Sequence, residues 1–165
     1  MNVVLSTYAS APLDRTARVV TRGVWLLAGV LAIAGAGLSA AGTASVGAVL
    51  SAAAVLVALM MWFLSRLRPI EYLVDDGGLA VQRRHSPVKR FTGRMSGARR
   101  GRLGVRVAGD GGGYGYLGRY RAEGHTVHAF VTDRARVVLL DVGHVKLAVS
   151  PADPDAFLAE VARAA

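Results

Sequence analysis

Residues 23–65 run for 43 positions without one charged side chain, and their hydrophobicity is continuous where a surface helix would show a polar face. About 20 apolar residues of helix cross the hydrocarbon core of a bilayer. The run therefore predicts two spans, 23–40 (GVWLLAGVLAIAGAGLSA) and 45–65 (SVGAVLSAAAVLVALMMWFLS), with AGTA as the turn between them. Gly29, Gly35 and Gly37 permit close helix–helix contact, and Trp25, Trp62 and Phe63 stand near the outer ends, where aromatic rings favour the headgroup level. A buried soluble hairpin would need more covering material than the remaining chain offers. A cleaved signal peptide is the alternative for the first segment, since Arg15, Arg18 and Arg22 precede it and small residues follow. The second apolar run comes within a few residues, as a hairpin requires.

Beyond residue 69 the period shortens to two. IEYLV and LAVQRR flank DDGG, a hairpin turn in which Gly77 and Gly78 can take positive φ. VKRFT, LGVRVAG, the pair within YLGRYRAEGHTVHAFVT that meets at Glu123-Gly124, and VVLLDVG with VKLAVS around Gly143 follow. Seven to eight short strands at intervals of about 8–12 residues predict an antiparallel barrel or sandwich. The last segment, SPADPDAFLAEVARAA, changes period again: Asp153 is placed to N-cap a helix that Pro154 opens, with Phe157, Leu158 and Val161 on its apolar side.

Charge adds orientation. Arg15, Arg18 and Arg22 precede the first span, Arg66 and Arg68 follow the second, and the turn has none, so both termini are expected in the cytosol, at an inner membrane. The net charge is +9. Nine basic residues and no acid lie between residues 77 and 109. Among them Arg83, Arg84, Lys89, Arg90, Arg99, Arg100 and Arg102 are candidate contacts for anionic lipid headgroups, each worth about 1 kcal/mol at an anionic surface, or for a partner protein. Nucleic acid is not expected, because stacking aromatics are missing from the run apart from Phe91.

Candidate chemistry is sparse. Gly113, Gly115 and Gly118 spell G-x-G-x-x-G within GDGGGYGYLGRY, but a dinucleotide site needs a helix after the motif. Residues 119–132 alternate as a strand, which assigns the glycines to a turn and sets Tyr114, Tyr116 and Tyr120 on one strand face. His125 and His128 fall on opposite faces, a poor geometry for one metal. The chain has no cysteine and no G-x-S-x-G elbow. No catalytic, metal or cofactor residue is expected.

Two apolar helices followed by such strands and a closing helix resemble the bacterial pleckstrin-homology-domain membrane proteins. The marks are GYGYLGRY (113–120) and LAVSPADPDAFLAEV (147–161), the likeness extends over about 71–164, and extra glycines at 111–113 together with the long Arg-rich connection leave the strand boundaries between Phe91 and Gly104 open. The resemblance implies an α+β membrane protein with a cytosolic tail (1–22), a transmembrane hairpin (23–65) and a PH-like antiparallel β-barrel of about seven strands (69–165) capped by a helix at 153–164. It implies a non-catalytic module that binds another protein or itself; the alternatives are contact with anionic lipid and an accessory role in a transporter or envelope-stress system.

Overall fold

The computed structural model describes residues 6–75 and 77–164; Asp76 of the DDGG turn lies outside them. Two long helices come first, α1 (Arg15–Ala40) and α2 (Ala44–Leu67), both long and apolar enough to cross a membrane. Each begins or ends beyond its apolar run, so Arg15, Arg18, Arg22 and Arg66 are helical. Asp14 caps α1, its carboxylate accepting from the Ala17 amide at 2.7 Å. Apart from Ala17 in the first turn of α1, the buried positions of the pair repeat every seven residues: Thr21, Ala28 and Gly35 on α1, Gly47, Ala54 and Met61 on α2. That spacing keeps one seam in contact along both helices. Of the three glycines expected at the seam only Gly35 lies there, facing Gly47; Gly29 and Gly37 look into open space. Outside the seam the helices expose Leu26, Val30, Ile33, Val49 and Leu56, each more than 60% accessible.

The rest is two stacked sheets and a helix. One sheet has the order β1 (Ser6–Ala9), β2 (Pro69–Asp75), β3 (Gly78–Arg83), β4 (Ser86–Thr92). The other runs β5 (Met95–Arg100), β9 (Val138–Val142), β10 (Val145–Val149), β8 (His125–Val131), β7 (Tyr116–Ala122), β6 (Arg106–Gly111). The expected barrel is therefore corrected: the sheets do not close on one another, ten strands are described where about seven were expected, and β8 and β10 pair in parallel. The parallel pair arises because β9 and β10 form their own hairpin, which then sets β10 against β8. Gly78, but not Gly77, takes a positive φ in the β2–β3 turn.

The expected tail of residues 1–22 contains β1 as well as the start of α1. β1 pairs antiparallel with β2, Ser6 opposite Val74 and Ala9 opposite Glu71, so the β domain is built from chain on both sides of the helical hairpin.

The six-stranded sheet is buried on both faces. Val138, Leu140, Val142, Leu147 and Val149 point into the main core with Tyr72, Val74, Leu79, Val81 and Phe157. Val137, Leu139, Ala148, Tyr116, Tyr120 and Val131 form a second core on the opposite face, under Leu103. This two-sided burial explains why VVLL (137–140) reads as a continuous apolar run. Helix α3 (Pro154–Ala164) lies against β5 and β2. Asp153 accepts from the amides of Asp155 and Ala156 at 3.1 and 3.0 Å, as its sequence predicts, with Phe157 and Val161 buried.

A buried polar chain joins the elements. Tyr72 donates its hydroxyl to the Phe130 carbonyl (2.6 Å) and accepts from the Ser150 amide (3.2 Å). The Ser150 hydroxyl accepts from the Thr132 amide (2.8 Å), and the Thr132 hydroxyl donates to the Ala11 carbonyl (2.6 Å). Thr132 and Ser150 are fully buried, where unmade hydrogen bonds are costly. The serine of the Ser-Pro step thus fastens the N-terminal segment to the sheet.

Candidate functional site

The glycine stretch forms the joint between helices and sheets. Gly112 lies against Val20 of α1 and Gly113 against Leu64 of α2. The Tyr114 amide donates to the Thr21 hydroxyl (3.2 Å), and Trp25 Nε1 donates to the Tyr114 hydroxyl (2.9 Å). These bonds hold Tyr114 at φ +65°, a backbone state that a side chain enters only when its surroundings dictate it. Tyr114 consequently leaves the strand, and only Tyr116 and Tyr120 share a face, their rings edge to face at 6.4 Å. Each motif glycine has a structural reason. A Cβ on Gly113 would press on Leu64, one on Gly115 would meet the Val131 carbonyl at 2.7 Å, and Gly118 faces Gly109 across the β6–β7 pair. No helix follows the motif.

Asp14 strengthens the joint. Besides capping α1 it accepts from the Tyr116 hydroxyl at 3.0 Å. Burial first, then the bond to Asp14 and its charge, push the Tyr116 phenol up to about 12. It therefore stays protonated and remains a donor at neutral pH. The Arg134 guanidinium stacks 5.0 Å above the Tyr116 ring and donates to the Leu103 and Gly104 carbonyls at 3.1 and 3.2 Å. Segment 101–105 is thereby pinned over the second core.

The seven basic candidates do not converge. Arg83, Arg84, Lys89 and Arg90 belong to β3, β4 and their turn; Arg99, Arg100 and Arg102 belong to β5 and the segment after it. Arg83 chelates the Pro87 carbonyl. Lys89 Nζ sits 5.4 Å from both the Phe91 and Phe130 rings. Arg99 pairs with Glu123 and Arg100 with Asp155. Arg100 and Arg102 line a cavity of about 570 Å³ with Gly101, Gly104 and Glu123, whose rim is of mixed charge.

A second cavity of about 420 Å³ is lined by Val105, Arg106, Gly111, Tyr116, Tyr120 and Arg134. Next to it Asp110 accepts from the Gly113 amide (3.2 Å), while its Oδ2 is buried without a partner. Burial, outweighing bonds from the glycine amides and the charge of Arg106, raises the Asp110 carboxyl above its ordinary value. A carboxyl with a raised folded-state pKa binds its proton more tightly when folded. Its ionisation costs stability as pH climbs past the ordinary carboxylate value, and the cost is complete above the raised one. Asp110→Asn should thus remove a penalty at pH 7. In urea unfolding at pH 7 and pH 5, the stability gap between variant and wild type should narrow on acidification; a gap that does not change with pH would contradict this.

Two features escaped the sequence reading. β6 pairs only with β7, leaving an open edge on which Val105 and Val107 are 76% and 55% exposed; alternation marked the strand, but only topology shows it is terminal. The other is Arg68, counted in the sequence only for orientation, whose Nε is buried without a hydrogen-bond partner. Comparison with known proteins gives one family match: the model described as Bacterial PH domain covers residues 70–165. No curated protein and no solved structure matches the chain.

Proposed function

From the premise that the chain belongs to the bacterial PH domain family, whose fold is in general a non-catalytic module for binding proteins or lipids, we propose that it is a membrane-anchored protein-binding module. Helices α1 and α2 are its anchor, with both ends on the cytoplasmic side. The arginines at the hairpin ends support this orientation. So does the register of β1 with β2, which needs the two ends of the hairpin on one side of whatever they cross. A signal peptide cleaved after the first helix would remove β1 from the sheet. The working unit on this reading is 6–164, with the sheets completed by the segment before the hairpin.

The observation that carries the binding role is the open β6 edge. It runs from the joint at Gly111 outward, with Val105 and Val107 exposed and the exposed Arg102, Arg106, Arg119 and Arg121 around it; the Gly109 and Asp110 carbonyls already accept from Arg106 and Tyr120, which leaves the part of the edge around Val107 to receive a segment. An edge of this kind takes an extended segment as an added strand, main chain giving affinity and side chains giving choice. The arginines favour a segment with acidic flanks. Because Gly112, Gly113 and Tyr114 fix the sheet to the helices, the edge stands at a set distance from the anchor.

A photo-crosslinking residue at position 107 of the full chain, irradiated in native membranes, should give a protein adduct identified by mass spectrometry. The same residue at position 88, on the β4 edge, should not. Adducts of equal yield at both positions, or none at 107, would remove the basis of the proposal.

A further inference from the structure

Arg68 is the first residue past α2. Its Nε is buried without a partner, and among the described residues no carboxylate pairs with it. Arg68 is half-buried, and because a guanidinium does not give up its proton inside a protein, a buried Nε–H with no acceptor favours an anion beside it. The surroundings make the need greater. The Arg84 amide donates to the Arg68 carbonyl at 3.0 Å, and the His85 amide to the Arg66 carbonyl at 3.3 Å. This brings the β3–β4 turn, with a second arginine, onto the end of α2. Burial first, and then the charge of Arg84, lower the Arg68 guanidinium from its ordinary value; Tyr114 and Tyr72 act weakly the other way. A third guanidinium, Arg66, lies 4.0 Å above the Trp62 ring.

We propose that Arg68 and Arg84, with Arg66 beside them, form a seat for the phosphate of an anionic lipid headgroup where the hairpin meets the β domain. The level of the site selects the lipid. Trp62 and Phe63, more than half exposed, lie one to two turns before it on α2, and aromatic rings of this kind mark the membrane interface. A guanidinium suits a phosphate, which accepts paired N–H bonds from it, and the backbone bond between residues 84 and 68 keeps a second one close enough for its charge to act on Arg68. Only Arg84 belongs to the basic run visible in sequence. The proposal rests on the reading of α1 and α2 as a membrane anchor.

Full-length protein in mild detergent is titrated with phosphatidylglycerol, with zwitterionic phosphatidylcholine and with inorganic phosphate, and followed by native mass spectrometry. One phosphatidylglycerol should bind per chain. Arg68→Gln and Arg84→Gln should each weaken it at least tenfold, and Arg68→Lys should do so less. Arg163→Gln, on the exposed side of α3, should leave it unchanged. If Arg68→Gln does not hold its fold, Arg84→Gln alone decides. Binding insensitive to Arg84, or equal binding of phosphatidylcholine, overturns the seat. Inorganic phosphate bound as tightly as the lipid, and with the same dependence on Arg84, overturns the lipid as its source. Alkaline carbonate extraction of native membranes tests the anchor separately: wild-type protein released by carbonate refutes the spanning hairpin, whereas retained protein with Arg84-insensitive lipid binding refutes the seat alone.

Discussion

Phe157→Ala should lower the stability of the β domain by about 3–5 kcal/mol, the usual cost of emptying a buried phenylalanine site. The ring is fully buried and meets two tyrosines edge-on, Tyr8 at 5.3 Å and Tyr72 at 6.3 Å. It therefore connects three pieces that are remote in sequence: β1 before the hairpin, β2 after it, and α3 at the end. Removing it leaves a cavity at their meeting point and takes the ring packing from β1, a strand of four residues otherwise held by its ladder with β2 and by bonds from Ser6 and Tyr8 to α3. Because small domains are stable by only about 5–15 kcal/mol, hydrogen exchange in the full-length variant should show β1 and β2 amides losing protection first. Phe157→Leu should recover most of the loss. A change below about 1 kcal/mol for the alanine variant would mean that the helix does not latch the sheet.

The helical hairpin has its own weak point. A Cβ on Gly47 would lie 2.5 Å from the Gly35 carbonyl oxygen and 2.7 Å from the Ser39 amide nitrogen. Both are main-chain atoms, so no side-chain rotation relieves the overlap and the helices must separate. Gly47→Leu should cost about 1–3 kcal/mol or more, measured as a lower unfolding midpoint in mixed micelles titrated with dodecyl sulfate. Gly29→Leu is the matched control: a Cβ there meets nothing within 4 Å, and the change should stay within about 0.5 kcal/mol. Equal effects at both positions would show that added bulk anywhere on the helices matters, and that the seam does not.

The contrast between these two glycines also shows what the sequence can reveal. Composition displayed the helices, because 43 uncharged positions admit few other structures. It could not say which of several glycines faces the neighbour, since Gly29, Gly35 and Gly37 look alike until the seven-residue repeat of buried positions is set against Gly47, Ala54 and Met61. Local turn chemistry read well in the β domain. The Glu123-Gly124 and Gly143 hairpins and the Asp153 cap all depend on neighbouring residues. Long-range pairing did not. STYA is too short to signal a strand without β2 beside it, and nothing local distinguishes a β10 that pairs with β8 in parallel from one that does not. Leu103, in an Arg- and Gly-rich stretch, is buried where Arg134 ties down the carbonyls around it and backbone bonds join Gly101 to Val137 and Gly104 to Arg121. Binding features were the least legible. The basic run was conspicuous in sequence, yet its members are divided between two sheets and two of them are neutralised by Glu123 and Asp155. Arg68 was inconspicuous, and among the described residues its buried Nε is left without a hydrogen-bond partner.

The pairing of β1 with β2 also orders events during synthesis. β1 leaves the ribosome before any of its partners exist, and the whole hairpin is translated before β2 appears, so the first strand must wait unpaired while α1 and α2 are placed. Non-local pairings of this kind form late, because the intervening chain has to be arranged before they return any stability. With the hairpin spanning a bilayer as proposed, a nascent chain whose first helix inserted the wrong way round would carry β1 to the opposite face, and the sheet would then lack its edge strand and the Tyr8 contact to Phe157. On the proposed anchor, completion of the sheet thus reports on how the helices were threaded: without β1 the Phe157 ring keeps its contact with Tyr72 but loses the one with Tyr8.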